Sequence, residues 1–502
     1  MSVKPTAGKP VIMIIVDTLM DAPLNEAIRA GMAPAIDFLI KNGTYSPGLV
    51  APFPTMSVNV DTTLLTGTYC DQHKIPGLVW FNKKENRLIN YGSHYRELFK
   101  LGVVKAVEDL LFNLNQSHIS REVRTLHEDL YRQRFNSASI NALVFRGNTP
   151  HFLDLPKMLG RFTPLSRRRP VYAPAIFSYG RFSKLNESWR NQHFWQKAGV
   201  NDSSSVQQFS HLVKENKLPP FTIVYLPDLD QRIHKYGRLD RVGIEKADKQ
   251  LQKILGLFGD WEKALELNQW IIMGDNGQAW VHSNRNHAVI DLRKLLSPYK
   301  IMRLRKGPRT GDQIALAVND RMAYIYTLNE EKELIEDIAM LLTGDNRVDV
   351  IAWKNGRQIK VRSGGIGGEI RFQPGGVLQD QYGQLWELEG NMEILDLSVK
   401  DNRVQYGLYP DALARLYSCL HSHEGEFLAV SARPGHEFAG EGSPVHLGGA
   451  GHGGLHEQDS LVPLIVSGTE SLPEHMRIVD LKRWVLSLIT KSVYDSESTK
   501  DS

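Results

Sequence analysis

Three short apolar runs along the chain each lead into an aspartate. Val11–Val16 (V-I-M-I-I-V) runs into Asp17, Phe221–Leu226 (F-T-I-V-Y-L) into P-D-L-D, and residues 270–273 (W-I-I-M) into G-D-N-G. A continuous, β-branched run bounded by turn residues is the pattern of a parallel strand buried on both faces. A fourth run, residues 461–466 (L-V-P-L-I-V), follows the glycine-rich G-G-A-G-H-G-G. Its Pro463 suits an edge strand or a strand start better than a strand middle. Helical periodicity separates these runs, as in residues 248–257 and 481–490. Strands alternating with helices predict an α/β fold with a mainly parallel central sheet. In such sheets ligands bind beyond the carboxyl ends of the strands, which is where Asp17, Asp228, Asp230 and Asp275 fall.

The pattern changes between about residues 300 and 421. N-D-R-M-A-Y-I-Y-T-L is strand-like, residues 330–342 are amphipathic at helical spacing, and V-D-V-I-A-W-K-N-G-R-Q-I-K-V-R-S reads as a hairpin around Asn355 and Gly356. This predicts a smaller α+β subdomain at 301–420 inserted into a core made of 1–300 plus 421–492, with a disordered tail at 493–502. Residues 81–220, with the basic L-S-R-R-R-P patch, predict helices and loops around the mouth of a site.

Bulk composition narrows the class. Among 502 residues, 60 basic and 56 acidic side chains leave a net charge of +4, too balanced to argue for a nucleic-acid polymer or a membrane surface as partner. Two cysteines, Cys70 and Cys419, make no disulfide framework and favour a reducing compartment. The first apolar run is too short for a signal sequence or a membrane span. The expectation is a soluble cytoplasmic protein acting on a small molecule.

The polar residues at the strand ends and in the glycine-rich loops are Asp17, Asp228, Asp230, His234, Asp275, Asn276, His452 and His456. Zinc and similar divalent metals take His and Asp ligands, and sites that cleave phosphate esters often hold two metals about 4 Å apart. Asp230 and His234 are four apart, so one helical turn puts both on one face. The stretch P-T-M-S-V-N-V-D-T-T-L-L-T-G (residues 54–67) places Thr55 and Ser57 at the start of a helix. Either hydroxyl suits an N-cap. Either also suits a nucleophile, because a helix N-terminus favours a phosphate and a metal would help ionise the hydroxyl.

In order and spacing these motifs resemble the alkaline phosphatase superfamily, and within it the type I phosphodiesterase/nucleotide pyrophosphatase family. The opening strand ending in Asp17, P-T-M-S followed by T-G and Y-C-D-Q-H, D-Q-R-I-H-K-Y-G, G-D-N-G, and A-G-H-G-G followed by D-S-L-V-P-L-I-V-S-G carry the resemblance. They cover segments 10–80, 220–290 and 425–470. The resemblance implies an alkaline-phosphatase-like three-layer sandwich and a metal-dependent hydrolase of phosphate esters, with a diester or nucleotide-like substrate. It implies two divalent metal ions, zinc favoured, with manganese or magnesium as alternatives. One would sit on Asp230, His234 and His452, the other on Asp17, Asp275, Asn276 and the nucleophile. Gapless spacing back from T-G puts that nucleophile at Ser57; a slip of two residues would put it at Thr55.

Two departures matter. The usual His of the family's D-H-G is Asn276, a weaker and harder ligand than imidazole. The asparagine that holds a phosphoryl oxygen in nucleotide pyrophosphatases is matched by Leu78, with Asn82 nearby but out of register. These keep open a phosphomonoesterase, a phosphonate hydrolase, or a non-catalytic binder of a phosphorylated ligand. The sulfatase branch is disfavoured because neither cysteine lies in C-x-P-x-R, and phosphate-loop and dinucleotide fingerprints are absent.

Overall fold

The computed structural model describes residues 8–93, 95–155, 169–185, 199–329 and 332–498. A seven-stranded sheet forms its centre: β1 (Val11–Val16), β2 (Gly43–Val50), β3 (Ser137–Ile140), β4 (Ile176–Ser178), β5 (Phe221–Leu226), β6 (Gln269–Met273) and β7 (Leu461–Ser467). The spatial order is β2-β7-β6-β1-β5-β3-β4. Strands β6, β1, β5, β3 and β4 run parallel, whereas β7 is antiparallel to both β6 and β2. β1 is central because all six of its residues are buried, as the uninterrupted apolar run requires.

Pro463 lies inside the sheet rather than at an edge. It occupies the place where the β2–β7 register shifts between Ser46 and Leu49, and pairing with β6 ends at Leu464. A proline needs no ladder donor at such a bulge, which is why it sits here rather than on an edge strand or at a strand start. Strands β3 and β4 were also not foreseen within residues 81–220. They are only four and three residues long and rich in serine, so they carry little periodic signal.

Alternate strand residues point to opposite faces. Val11, Met13 and Ile15 join a core with α1 (Ser57–Thr66) and α4 (Ile478–Ser498), through residues such as Leu64, Leu65, Leu481 and Val485. Ile12, Ile14 and Val16 join another with α2 (Asp228–Tyr236) and α3 (Arg241–Gly256), through Leu229, Ile233, Ile244 and Leu251. The result is a three-layer α/β/α sandwich.

A second, nine-stranded sheet is built mainly from residues 314–406. The hairpin at Asn355 and Gly356 forms as expected, with Asn355 opposite Gln358, and Lys332–Thr343 is helical. The boundary at 420 needs correction: Glu426–Ala432 belongs to this sheet, between Met322–Thr327 and Val348–Asn355. Six of its seven residues are buried, so its apolar run is satisfied only with a strand on each side. One face of this sheet, including Met322, Tyr324 and Ala352, shares the hydrophobic cluster of the first sheet. The last helix continues to Ser498, beyond the tail boundary at 493; residues 499–502 lie outside the described residues, as does most of the L-S-R-R-R-P patch. Cys70 and Cys419 are buried free thiols. Among the described residues, no helix is long and apolar enough to cross a membrane.

Candidate active site

Asp17, Asp275 and Asn276 converge just beyond the carboxyl ends of β1 and β6. Thr18, held at φ +62°, turns the chain so that its backbone N–H donates to Asp275 Oδ1 at 2.9 Å. The same oxygen accepts the Asn276 N–H at 2.8 Å. Tyr225, the fifth residue of β5, donates its hydroxyl to Asp17 Oδ2 at 2.7 Å and stands 3.4 Å from Asp275 Oδ2. Burial raises the Asp17 carboxyl well above the ordinary range, and the charges of Asp275 and Asp230 push it further. Like carboxylates packed this way favour a bound cation.

Asp230 and His234 lie one turn apart on α2, as the spacing predicted. His234 Nε2 is 3.2 Å from Asp230 Oδ1, and His452 Nε2 is 3.9 Å from the same oxygen. Asp230 also accepts Gln278 Nε2 at 2.7 Å and the Thr18 hydroxyl at 3.1 Å. Burial pulls His234 down, but the charge and hydrogen bond of Asp230 more than offset this and leave it at about 9. Burial raises Asp230, but His234 and His452 outweigh it and hold the carboxyl below its ordinary range. The glycine-rich loop carrying His452 packs directly on α2. A Cβ at Gly449 would lie 2.0 Å from the His234 carbonyl, and Gly453 takes φ +105°, so this loop needs glycine at both places.

The donor chemistry fits a divalent metal at Asp230, His234 and His452, whose ligand atoms all lie within 4.8 Å of one another. His234 Nδ1 donates to Ala450 O at 2.9 Å and His452 Nδ1 donates to Thr55 O at 2.8 Å. Each ring therefore keeps Nε2 for a ligand. The set at Asp17, Asp275, Asn276 and Ser57 offers oxygen donors only, and Asn276 turns its Nδ2 toward Ser57 Oγ at 3.4 Å.

The two hydroxyls of P-T-M-S have separate surroundings, and neither is an N-cap. Met56 holds the cap position of α1 with extended backbone, and no side chain caps it. Thr55 is fully buried and braces the His452 loop: Oγ1 accepts the Gly453 N–H at 2.9 Å and donates to Gly454 O at 3.2 Å. Ser57 is the first helical residue and is only partly buried. It lines a cavity of about 670 Å³ together with Asp17, Asp230, His234 and His452.

Other candidates fall elsewhere. The Asp228 carboxylate accepts the Asp202 backbone N–H, and the Asp228 backbone N–H donates to Asp202 Oδ1. His456 Nδ1 accepts the Gln458 N–H at the start of a short helix. Leu78 lines the cavity, whereas Asn82 binds Glu85 in an exposed turn. Sequence reasoning missed Thr18, Tyr225, Gln278, Asp320 and His446, which surround the site. Only His446, six residues before His452, carried a usable signal in the glycine-rich segment. Asp61, one turn after Ser57, was also missed; it is 1% exposed and neither carboxylate oxygen has a hydrogen-bond partner of normal geometry.

Known proteins share the family and the fold of this chain. A model of the type I phosphodiesterase / nucleotide pyrophosphatase family matches residues 11–369. No curated protein matches at the sequence level. Human ectonucleotide pyrophosphatase / phosphodiesterase 5 is similar in fold, with TM-score 0.55 and 14% identity over 96% of this chain and 95% of that one. The murine protein, solved as an inactive variant with AMP, gives TM-score 0.55 and 12% identity over the same shares. Phosphonoacetate hydrolase from Sinorhizobium meliloti, solved with phosphonoformate, gives 0.56 and 16% over 97% and 100%.

Proposed function

The chain belongs to the type I phosphodiesterase/nucleotide pyrophosphatase family, whose members are hydrolases of phosphate esters, and on that premise we propose that it cleaves a small phosphodiester or nucleotide-like ester through a phosphoseryl intermediate on Ser57. The observation that carries this reading is the position of Ser57, at the head of α1 and in one cavity with Asp17, Asp230, His234 and His452. Thr55 is a brace in this reading, since its hydroxyl is already engaged on both sides.

Ser57 Oγ attacks phosphorus in line with the departing alcohol, and water then attacks the phosphoserine from the vacated side. Asn276 Nδ2 orients Oγ and steadies its developing charge. The start of α1 would favour a phosphoryl oxygen there, since the helix dipole favours negative charge. Asp230, His234 and His452 would hold one metal, and Asp17, Asp275, Asn276 and Ser57 a second. When bound, such ions supply Lewis-acid stabilisation of the leaving oxygen and make hydroxyl and water more acidic. Leu78, Leu110, Leu143, Tyr179 and Phe182 line the cavity and suit an apolar or aromatic leaving group.

The test is turnover of bis(p-nitrophenyl) phosphate against p-nitrophenyl phosphate by chelator-stripped protein, with zinc, manganese or no metal restored. Expected is metal-dependent turnover favouring the diester and lost in Ser57→Ala. Full activity in Ser57→Ala would overturn the assignment. The oxygen-only donor set around Asn276 favours one second reading, a phospho-ligand binder without turnover; a folded protein inert with every metal would support it.

A further inference from the structure

The same cavity holds another set of donors, two of which, Asp320 and His446, lie outside those the family resemblance assigns. A ring nitrogen of His234, a ring nitrogen of His446 and a carboxylate oxygen of Asp320 all lie within 4.8 Å of one another. We infer that Asp320 and His446, with His234 beside them, form an additional position for a divalent metal of the zinc or manganese class.

His446 is aimed by a buried acid. Glu437, which is 0% exposed, accepts from His446 Nδ1 at 3.0 Å and from the His446 backbone N–H at 2.6 Å. Nε2 is left as the ligand atom, and a carboxylate behind an imidazole raises its basicity toward a metal. The His446 ring stacks on His234 with centroids 4.2 Å apart.

Asp320 is also held in place. It sits at φ +52° in the turn of the hairpin joining Ile314–Asn319 to Met322–Thr327. Its carbonyl accepts the Phe438 N–H at 2.8 Å, and the next N–H, from Arg321, donates to His452 O at 2.9 Å. Two imidazoles and one carboxylate make a nitrogen–oxygen donor set that suits zinc or manganese.

His234 has one nitrogen to offer, because Nδ1 donates to Ala450 O. It therefore serves Asp230 and His452 or Asp320 and His446, one set at a time. With His234 engaged by the first set, the second keeps Asp320, His446 and solvent, so it binds more weakly and exchanges faster. Only the order of affinities rests on the proposed ligation by Asp230, His234 and His452; occupancy at Asp320 and His446 is measurable without turnover.

The experiment titrates zinc into the chelator-stripped full chain by calorimetry, with ions counted after gel filtration. Expected is a weaker event beyond those of the ions on the Asp230 and Asp17 sets, with that weaker event lost or reduced about tenfold or more in His446→Gln, Asp320→Asn and Glu437→Gln. Unchanged isotherms in folded His446→Gln and Asp320→Asn overturn the site. Zinc-edge X-ray absorption on the wild type decides the matter if those variants unfold. A third equivalent that adds histidine ligation, beyond the ions on the Asp230 and Asp17 sets, supports the site; saturation at two equivalents, or a third equivalent in an oxygen-only shell, overturns the inference. Turnover lost in Ser57→Ala alongside unchanged His446→Gln isotherms would sink this site alone. A zinc event lost in His446→Gln alongside full activity in Ser57→Ala would sink the phosphoseryl reading alone.

Discussion

His452 Nδ1 donates to the Thr55 carbonyl at 2.8 Å across 397 residues of chain. This bond ties the glycine-rich loop to the segment that leads into α1. Through it a metal-ligating candidate and a candidate nucleophile keep a fixed spacing, although they arise from opposite ends of the sequence.

That tie separates the two hydroxyls of P-T-M-S. Thr55→Val leaves the Gly453 N–H and the Gly454 carbonyl without their side-chain partner, at a cost of about 1–3 kcal/mol, and lowers turnover without abolishing it. Ser57→Ala removes no cap, so its stability stays within about 0.5 kcal/mol of wild type while turnover vanishes. Urea unfolding together with diester hydrolysis checks both; a dead Thr55→Val paired with an active Ser57→Ala reverses the assignment.

Asn276→His should tighten zinc at Asp17 and Asp275, because imidazole is the better zinc ligand. A chelator-competition titration reads this as about a tenfold or greater gain for the ion held there. Unchanged affinity in a folded variant would show that position 276 faces no metal.

Glu97 lines the cavity and accepts the Ser93 hydroxyl at 2.6 Å. Burial raises its carboxyl from 4.5 to about 7, with Ser93 opposing. The unfolded chain releases this proton first, so the native state holds more protons between pH 4.5 and 7 and loses stability as pH rises through that window. The loss is at most about 3.5 kcal/mol, at ~1.4 kcal/mol per pKa unit. Glu97→Gln should flatten that part of the stability profile, measured by urea unfolding at pH 5 and pH 8. Parallel profiles for variant and wild type would contradict the burial argument.

Asp61 is a buried carboxyl without a good partner, raised well above its ordinary range by burial and by Asp275, against a weaker opposing pull from the Leu143 amide. Its raised pKa makes it destabilising once the pH exceeds the unfolded value. In metal-free protein Asp61→Asn should therefore raise Tm at pH 8 and leave it near wild type at pH 4. A lower Tm at pH 8 would mean that the carboxylate has a cation or water partner that asparagine cannot replace.

The chain's local pattern determined the central strands, the α2 pair Asp230 and His234, and the Asn355 hairpin, because each depends on periodicity or spacing within one element. The motifs also identified Ser57, Asp17, Asp275 and His452 as site candidates. Tertiary structure alone decided which hydroxyl faces the cavity, since Thr55 and Ser57 are two residues apart on the same short stretch and differ only in what packs against them. It likewise decided that Pro463 sits at a bulge inside the sheet, that Glu426–Ala432 pairs with the second sheet, and that Asp320 and His446 stand beside His234. Those facts rest on contacts between segments more than a hundred residues apart in most cases, and hydrophobic periodicity records how a segment is buried but not which partner buries it.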